Sequence, residues 1–156
     1  MMITIQITKS DVMDEVARTA AYMGARKSEG SDGSYDRVSI TDGDREMLER
    51  YWNEANGLLA GLFKRFMECE QPTSDNGDHI YKLCMSSRYN DNLTSEIRAN
   101  SNSFVVNYLV GHWCEQIGKG DWKNYIDNAT SLLEDVKGKL FYKRKPTRIP
   151  TEVFDE

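Results

Sequence analysis

The strongest pattern in the chain is a run of apolar residues that recur every three or four positions between residues 47 and 67. This spacing places them on one face of an α-helix, and we predict a helix over about 44–68. The stripe is wide, which suits a helix lying across a core rather than in a narrow coiled-coil seam. Its apolar members are Met47, Leu48, Tyr51, Trp52, Ala55, Leu58, Leu59, Leu62, Phe63, Phe66 and Met67.

Two glycines, Gly57 and Gly61, lie inside this helix. Each costs about 1 kcal/mol relative to alanine, and at a spacing of four they leave a flat strip that another helix can approach closely. We expect that neighbouring helix to belong to the same chain. An interface with another chain at Gly57 and Gly61 is the alternative.

The same spacing predicts three further helices. The first covers about 9–26, the third follows a cap at Asn92 and ends near residue 117, and the fourth follows a cap at Asp121. The stretch 98–103, in the first half of the third helix, is polar on all sides. Because only residues 118–120 separate the third and fourth helices, we expect those two to be antiparallel.

Two short segments alternate between apolar and other residues with the period of a β-strand. They are residues 3–7 and 79–85, and we expect the second to be buried on much of both faces. Pairing with each other would satisfy both backbones. The predicted fold is mainly α, a four-helix antiparallel bundle with a small two-stranded β element. Residues 27–39 and 71–78 are predicted loops.

Length and composition limit the class of protein. The chain has 156 residues, 39% of them hydrophobic, which predicts one packed domain over 1–142 followed by an extended arm over 143–156. The apolar runs fall short of the roughly 20 residues of a membrane span, and the N-terminus does not resemble a secretory signal. We therefore expect a cytoplasmic protein with no membrane contact and reduced cysteines.

No motif in the chain predicts chemistry. His112 and Cys114 are two apart on a predicted helix, so they point in different directions and cannot share a metal. Glu134 and Asp135 lie on a solvated face, and the glycines of 30–33 lack the flanking pattern of a phosphate loop. We predict no catalytic residue, no metal, no cofactor and no small-molecule substrate.

The charge is unevenly distributed. Residues 137–148 hold six basic residues and no acidic one, which leaves 14 basic and 25 acidic residues elsewhere. The net charge of −5 is thus the sum of a body near −11 and a strip of +6. We predict that Lys143, Arg144, Lys145 and Arg148 bind a partner with an acidic surface, either protein or nucleic acid. The alternative is a helix C-terminus that favours positive charge and runs into a solvated tail.

Four segments resemble small proteins of Bacteroidales phages and prophages. They are the aromatic-rich run 52–66, Met85-Ser86-Ser87-Arg88-Tyr89-Asn90, Tyr108-Leu109-Val110, and Leu140-Phe141-Tyr142-Lys143-Arg144-Lys145-Pro146. In general layout these proteins are similar to head-tail connector and head-completion proteins, which are small helical proteins that form a ring beneath the portal of tailed phages.

The resemblance implies a non-enzymatic virion structural protein. Its partners would be further copies of itself and a portal or tail protein, with passing contact to DNA. It would be made in the bacterial cytoplasm and then reside at the head-tail junction of the virion. The competing expectation is a soluble, monomeric or dimeric protein-binding or regulatory module of a mobile element.

Overall fold

The structure is a computed structural model that describes residues 1–28, 42–67, 73–75, 77–118 and 121–148, with backbone alone at 24–28 and 73–75. Most of the predicted loop 27–39 lies outside the described residues. Within these residues, the prediction of a mainly helical chain with four α-helices and a small antiparallel sheet is confirmed. The elements are β1 (Met2–Ile7), α1 (Lys9–Ser28), α2 (Asp42–Phe63), β2 (Thr73–Asp75), β3 (Asp78–Cys84), α3 (Thr94–Ile117) and α4 (Trp122–Phe141).

The sheet has strand order β1-β3-β2, and both neighbours run antiparallel to β3. The predicted pairing of the two longer strands is confirmed, with Ile3 opposite Leu83 and Ile5 opposite Tyr81. The sequence predicted two strands, and β2 is a third. Its three residues, Thr-Ser-Asp, are too few and too polar to show an alternating pattern.

One face of the sheet is buried and the other is buried only in part. Ile3, Ile5 and Ile7 are buried on the inner face together with the tyrosine and leucine opposite them. On the outer face Ile80 and Cys84 are only half-buried. The expected burial of the second strand on much of both faces is therefore confirmed for the inner face, and the outer face is buried only in part.

Helix α3 lies at the centre of the helical part. It packs against α4, α2, α1 and β1, and its apolar side chains supply much of the core. Residue pairs show that α3 is antiparallel to both α4 and α2. Gly111 faces Ile126 while Asn100 bonds Asp135 on α4, and His112 stacks on Tyr51 while Tyr108 bonds Glu54 on α2. The expected antiparallel arrangement of the third and fourth helices is confirmed.

The polar first half of α3 is helical because other elements provide partners for its side chains. The Arg98 Nε donates a hydrogen bond of 2.8 Å to the Thr4 carbonyl, and the Asn100 amide donates to Asp135 on α4. A short 3-10 turn, Asp91–Leu93, precedes α3. The side chain that caps this turn is Asn90, which accepts a hydrogen bond from the Asn92 backbone, rather than Asn92 itself.

The chain leaves α4 at Tyr142, whose backbone is extended. Lys143 then forms an isolated antiparallel bridge with Tyr89, and residues 144–148 are exposed and neither helix nor strand. The remainder of the predicted arm, 149–156, lies outside the described residues. None of the helices that the structure describes has the length and apolar character needed to cross a bilayer.

Candidate functional site

The four basic residues predicted to bind a partner all lie at one end of the molecule. Lys143, Arg144, Lys145 and Arg148 follow α4 and are exposed. Among the described residues, none of the four forms an ion pair with an acidic side chain. Their charges therefore remain available to a partner.

Hydrogen bonds fix the start of the arm to the turn that follows β3. The Arg144 backbone N–H donates to the Arg88 carbonyl at 2.8 Å. In return, Nε and Nη2 of Arg88 donate to the Arg144 carbonyl at 3.0 and 2.8 Å. The Arg144 guanidinium donates to Asn90 Oδ1 at 2.9 Å. The arm thus begins from a defined position rather than as a free tail.

A buried tyrosine in this turn, Tyr89, joins it to the core. Tyr89 is 4% exposed, and its hydroxyl is hydrogen bonded to the Thr94 hydroxyl at 2.9 Å. Thr94 belongs to the first turn of α3 and also donates to Asp91. The position of the arm is therefore connected to the central helix through side-chain hydrogen bonds.

The end of α2 brings further positive charge to the same place. A 3-10 turn, Lys64–Phe66, continues α2, and both of its basic side chains are exposed. The Phe66 ring lies edge-on to Phe141, with centroids 5.3 Å apart, and the Arg65 guanidinium carbon lies 5.6 Å from the Phe141 centroid. We call the exposed set Lys64, Arg65, Arg88, Lys143, Arg144, Lys145 and Arg148 the basic end.

Lys64, Arg65 and Arg88 lie outside the basic run 137–148, so the sequence pattern does not assign them to this end. Since α2 and α4 are both antiparallel to α3, they end at the same side of the molecule. A basic C-terminal turn on α2 was visible in the sequence. Its proximity to the arm depended on the direction in which α2 packs, and no local pattern reports that direction.

A cleft of about 310 Å³ opens within the basic end. Met85, Tyr89 and Leu140 are buried and form its floor, and the exposed side chains of Arg65 and Lys143 lie at its rim. The rings of Phe66, Phe141 and Tyr142 also line it. We call this the basic cleft. Its chemistry suits a ligand that combines an apolar side chain with carboxylates, because charged hydrogen bonds at the rim can accompany apolar contact at the floor.

The basic strip of the sequence is not continuous in space. Lys139 bonds Asp135 on its own helix and Glu96 on α3, the latter at 3.0 Å. The hydrogen bonds that the Lys139 ammonium donates to Asp135 and Glu96 raise its pKa. Lys139 therefore stabilises the contact between α3 and α4, and only the residues from Lys143 onward remain as the basic arm.

The glycine strip of α2 has no helical neighbour among the described residues. A Cβ placed on Gly57 or Gly61 would meet no atom within 4 Å, and Leu58 between them is 46% exposed. The expected close packing against another helix of the same chain is therefore wrong for the described part. An interface with another chain at Gly57 and Gly61 stays a prediction.

The close approach of two helices occurs instead between α3 and α4, at Gly111. A Cβ on Gly111 of α3 would lie 2.8 Å from Cγ1 of Ile126 and 3.2 Å from its backbone nitrogen. Gly111 sits among the apolar residues of α3, opposite the apolar side of α4. In the sequence, a glycine on the apolar face of a predicted helix hairpin is the pattern that indicates such a close approach.

The residues considered for metal or acid-base chemistry remain apart. His112 lies between the rings of Tyr51 and Tyr108, whereas Cys114 is buried. Asp135 is held by Lys139. Within the described ranges no three His, Cys, Asp or Glu side chains come together. The absence of a metal or cofactor stays a prediction.

Comparisons of the chain with protein-family models, with curated proteins and with solved structures found no match.

Proposed function

We propose that this protein is a non-enzymatic assembly protein that binds an acidic surface of another protein subunit through its basic end. The observation that carries the proposal is the convergence of α2, the turn after β3 and the arm. Together they place seven exposed basic residues at one end of a chain whose net charge is −5, and two of them, Arg65 and Lys143, line the basic cleft. Such an arrangement favours an acidic partner, because the positive charges attract the partner's negative surface and orient it as it binds.

In the specific form that we propose, the protein is a phage head-tail connector that assembles as a ring between portal and tail. The resemblance of residues 52–66, 85–90, 108–110 and 140–146 to phage proteins supports this form. The helices would act as an antiparallel bundle that carries the basic end, and the end would contact an adjacent copy or the portal. A contact between two different surfaces repeats around an axis and closes into a ring when the rotation allows.

A second candidate, a monomeric or dimeric binding module, is favoured by the open strip on α2. Gly57 and Gly61 expose backbone beside Leu58 with no described neighbour. An isologous contact of this strip with its copy would give a dimer rather than a ring. In that case the basic end would bind one partner and would not build a larger assembly.

Sedimentation velocity of the full-length protein over a wide concentration range tests the proposal. A discrete high-order species is expected, and the double variant Lys145→Glu, Arg148→Glu should weaken it. The matched control is Arg18→Glu, Lys123→Glu, which changes the same number of exposed charges outside the basic end. A chain that stops at the dimer and is insensitive to both changes would contradict the ring and favour the module.

A further inference from the structure

We propose that the basic cleft binds residues 151–156 of a second copy of this chain, so that the C-terminal segment of one subunit occupies the cleft of the next. The inference rests on the proposed function, since it identifies the acidic surface that the basic end recognises. It is drawn from the chemistry of the cleft, the sequence of the segment and the course of the arm between them.

The cleft requires a ligand with two features. Its floor is apolar, formed by the buried side chains of Met85, Tyr89 and Leu140, and its rim carries Arg65 and Lys143. A volume of about 310 Å³ lies at the lower end of the range of roughly 300–1,000 Å³ for ligand pockets. It can therefore take one or two side chains of an extended segment, and not a whole helix.

Residues 151–156 have both features. The sequence Thr-Glu-Val-Phe-Asp-Glu places Val153 and Phe154 between Glu152 and the pair Asp155 and Glu156, and it contains no basic residue. An apolar pair flanked by carboxylates complements an apolar floor with a basic rim. Phe154 would meet the rings of the cleft, where aromatic pairs prefer edge-on or offset contact.

The start of the arm is fixed beside its own cleft. Lys143 lines the cleft and bridges to Tyr89, and Arg144 is held by Arg88, so the arm starts at the rim in a fixed orientation. The next residues to 148 are exposed and non-helical. Pro146 and Pro150 each lock one backbone angle and favour extended backbone in the residue before them.

An extended chain rises about 3.3–3.6 Å per residue, so Phe154 can lie roughly 36–40 Å from Lys143, eleven residues earlier. That distance spans the width of a small domain. The segment can therefore reach the cleft of an adjacent copy, whereas a return to its own cleft needs a reversal of the arm. Because tail and cleft are different surfaces, the contact is heterologous and repeats from copy to copy.

Two variants that each damage one side of the contact test this inference. The cleft variant is Arg65→Glu, Lys143→Glu, and the tail variant is Glu152→Gln, Phe154→Ala, Asp155→Asn, Glu156→Gln. We expect each alone to self-associate about tenfold or more weakly than the wild type. Mixed together, they should form a one-to-one dimer and nothing larger, because the intact tail of the cleft variant fits the intact cleft of the tail variant.

The matched control for the tail variant is Glu15→Gln, Glu46→Gln, Asp127→Asn, which neutralises three exposed carboxylates elsewhere and should assemble like the wild type. Native mass spectrometry and sedimentation velocity give the stoichiometry, and circular dichroism checks that each variant is folded.

A tail variant that assembles like the wild type would overturn the inference. If the cleft variant fails to assemble in that same experiment, the proposed function stands and only the identity of the acidic surface is wrong. If neither variant changes assembly, or if the wild type stays monomeric at every concentration, both this inference and the proposed ring fall.

Discussion

At the scale of single residues, the polar pair Tyr81 and Asn56 joins the sheet to α2 inside the core. Both residues are buried, and the tyrosine hydroxyl lies 3.0 Å from Asn56 Oδ1 and 3.1 Å from its backbone carbonyl. The Asn56 amide in turn donates to the Trp52 carbonyl at 3.0 Å. Because both side chains are shielded from bulk solvent, their polar atoms depend on each other for hydrogen bonds.

Tyr81→Phe should therefore lower the free energy of unfolding by about 1–3 kcal/mol, since it leaves buried acceptors of Asn56 without their donor. Urea denaturation followed by tryptophan fluorescence measures the change. The control is Tyr108→Phe, whose hydroxyl donates to the exposed Glu54 and should cost about 1 kcal/mol or less. Equal losses in the two variants would contradict the assigned role of the buried pair.

The environment of His79 makes the free energy of unfolding depend on pH. It lies beside the rings of Trp52 and Tyr81, and burial lowers its pKa, with a further decrease from Lys9 that Asp78 partly opposes. The unfolded chain thus takes up the proton first as the pH falls below about 6.5. The contribution of His79 to stability is complete above that pH and is lost as the pH falls through the folded-state pKa.

The variant His79→Gln should remove this part of the acid dependence. The fall in the free energy of unfolding between about pH 8 and about pH 5 is expected to be smaller in the variant than in the wild type. Urea denaturation at several pH values measures both. Parallel pH profiles for the two proteins would rule out the effect.

At the scale of elements, the contact between α3 and α4 depends on the absence of a side chain at Gly111. Alanine is favoured over glycine in a helix by about 1 kcal/mol, but the added Cβ would lie 2.8 Å from Ile126 Cγ1 and 3.2 Å from the Ile126 backbone nitrogen. The two helices must then separate, which typically costs about 1–3 kcal/mol in a packed core.

Gly111→Ala is therefore expected to destabilise the protein, whereas Gly57→Ala and Gly61→Ala should stabilise it by about 0.5–1 kcal/mol because their Cβ positions are open. Thermal unfolding of the three variants under one set of conditions compares them. If Gly57→Ala were as destabilising as Gly111→Ala, the α2 strip would have a close neighbour after all.

At the scale of the whole molecule, the start of the arm at residues 143 and 144 should affect stability, whereas the rest of the arm should affect only self-association. Deleting 145–156 removes residues 145–148, which are exposed and form no described hydrogen bond with the body, together with the C-terminal segment. The unfolding midpoint should therefore stay the same. Deleting 143–156 also removes the acceptor of Arg88 and the bridge to Tyr89. It should cost about 1–2 kcal/mol, because the four hydrogen bonds that are lost are largely exposed to water and each contributes little.

Differential scanning calorimetry of the two truncations and the full chain checks this prediction. Both truncations should lose self-association, since both lack the C-terminal segment. A midpoint that falls equally in the two proteins would show that residues beyond Arg144 support the fold.

What the sequence by itself determined are the elements, because their patterns are local. The alternation of Ile3, Ile5 and Ile7 requires a one-sided strand, and the apolar period over 47–67 requires a helix with a wide buried face. The split between an acidic body and a basic arm is likewise visible without a structure. The boundaries of all four helices and of both longer strands could be predicted to within a few residues, except at the end of α2, where the last turn is 3-10.

The tertiary structure alone decided which of these elements meet, because that depends on contacts between residues far apart in the chain. Gly57 and Gly61 carried the spacing of a packing strip, yet the close approach is made at Gly111, opposite Ile126. Lys139 belonged to the basic run by position, but its helix turns it towards Glu96. Arg65 lies near the arm because α2 and α4 end on the same side of α3. Arg88 lies there because the turn after β3 is hydrogen bonded to Arg144, and this convergence creates the basic cleft.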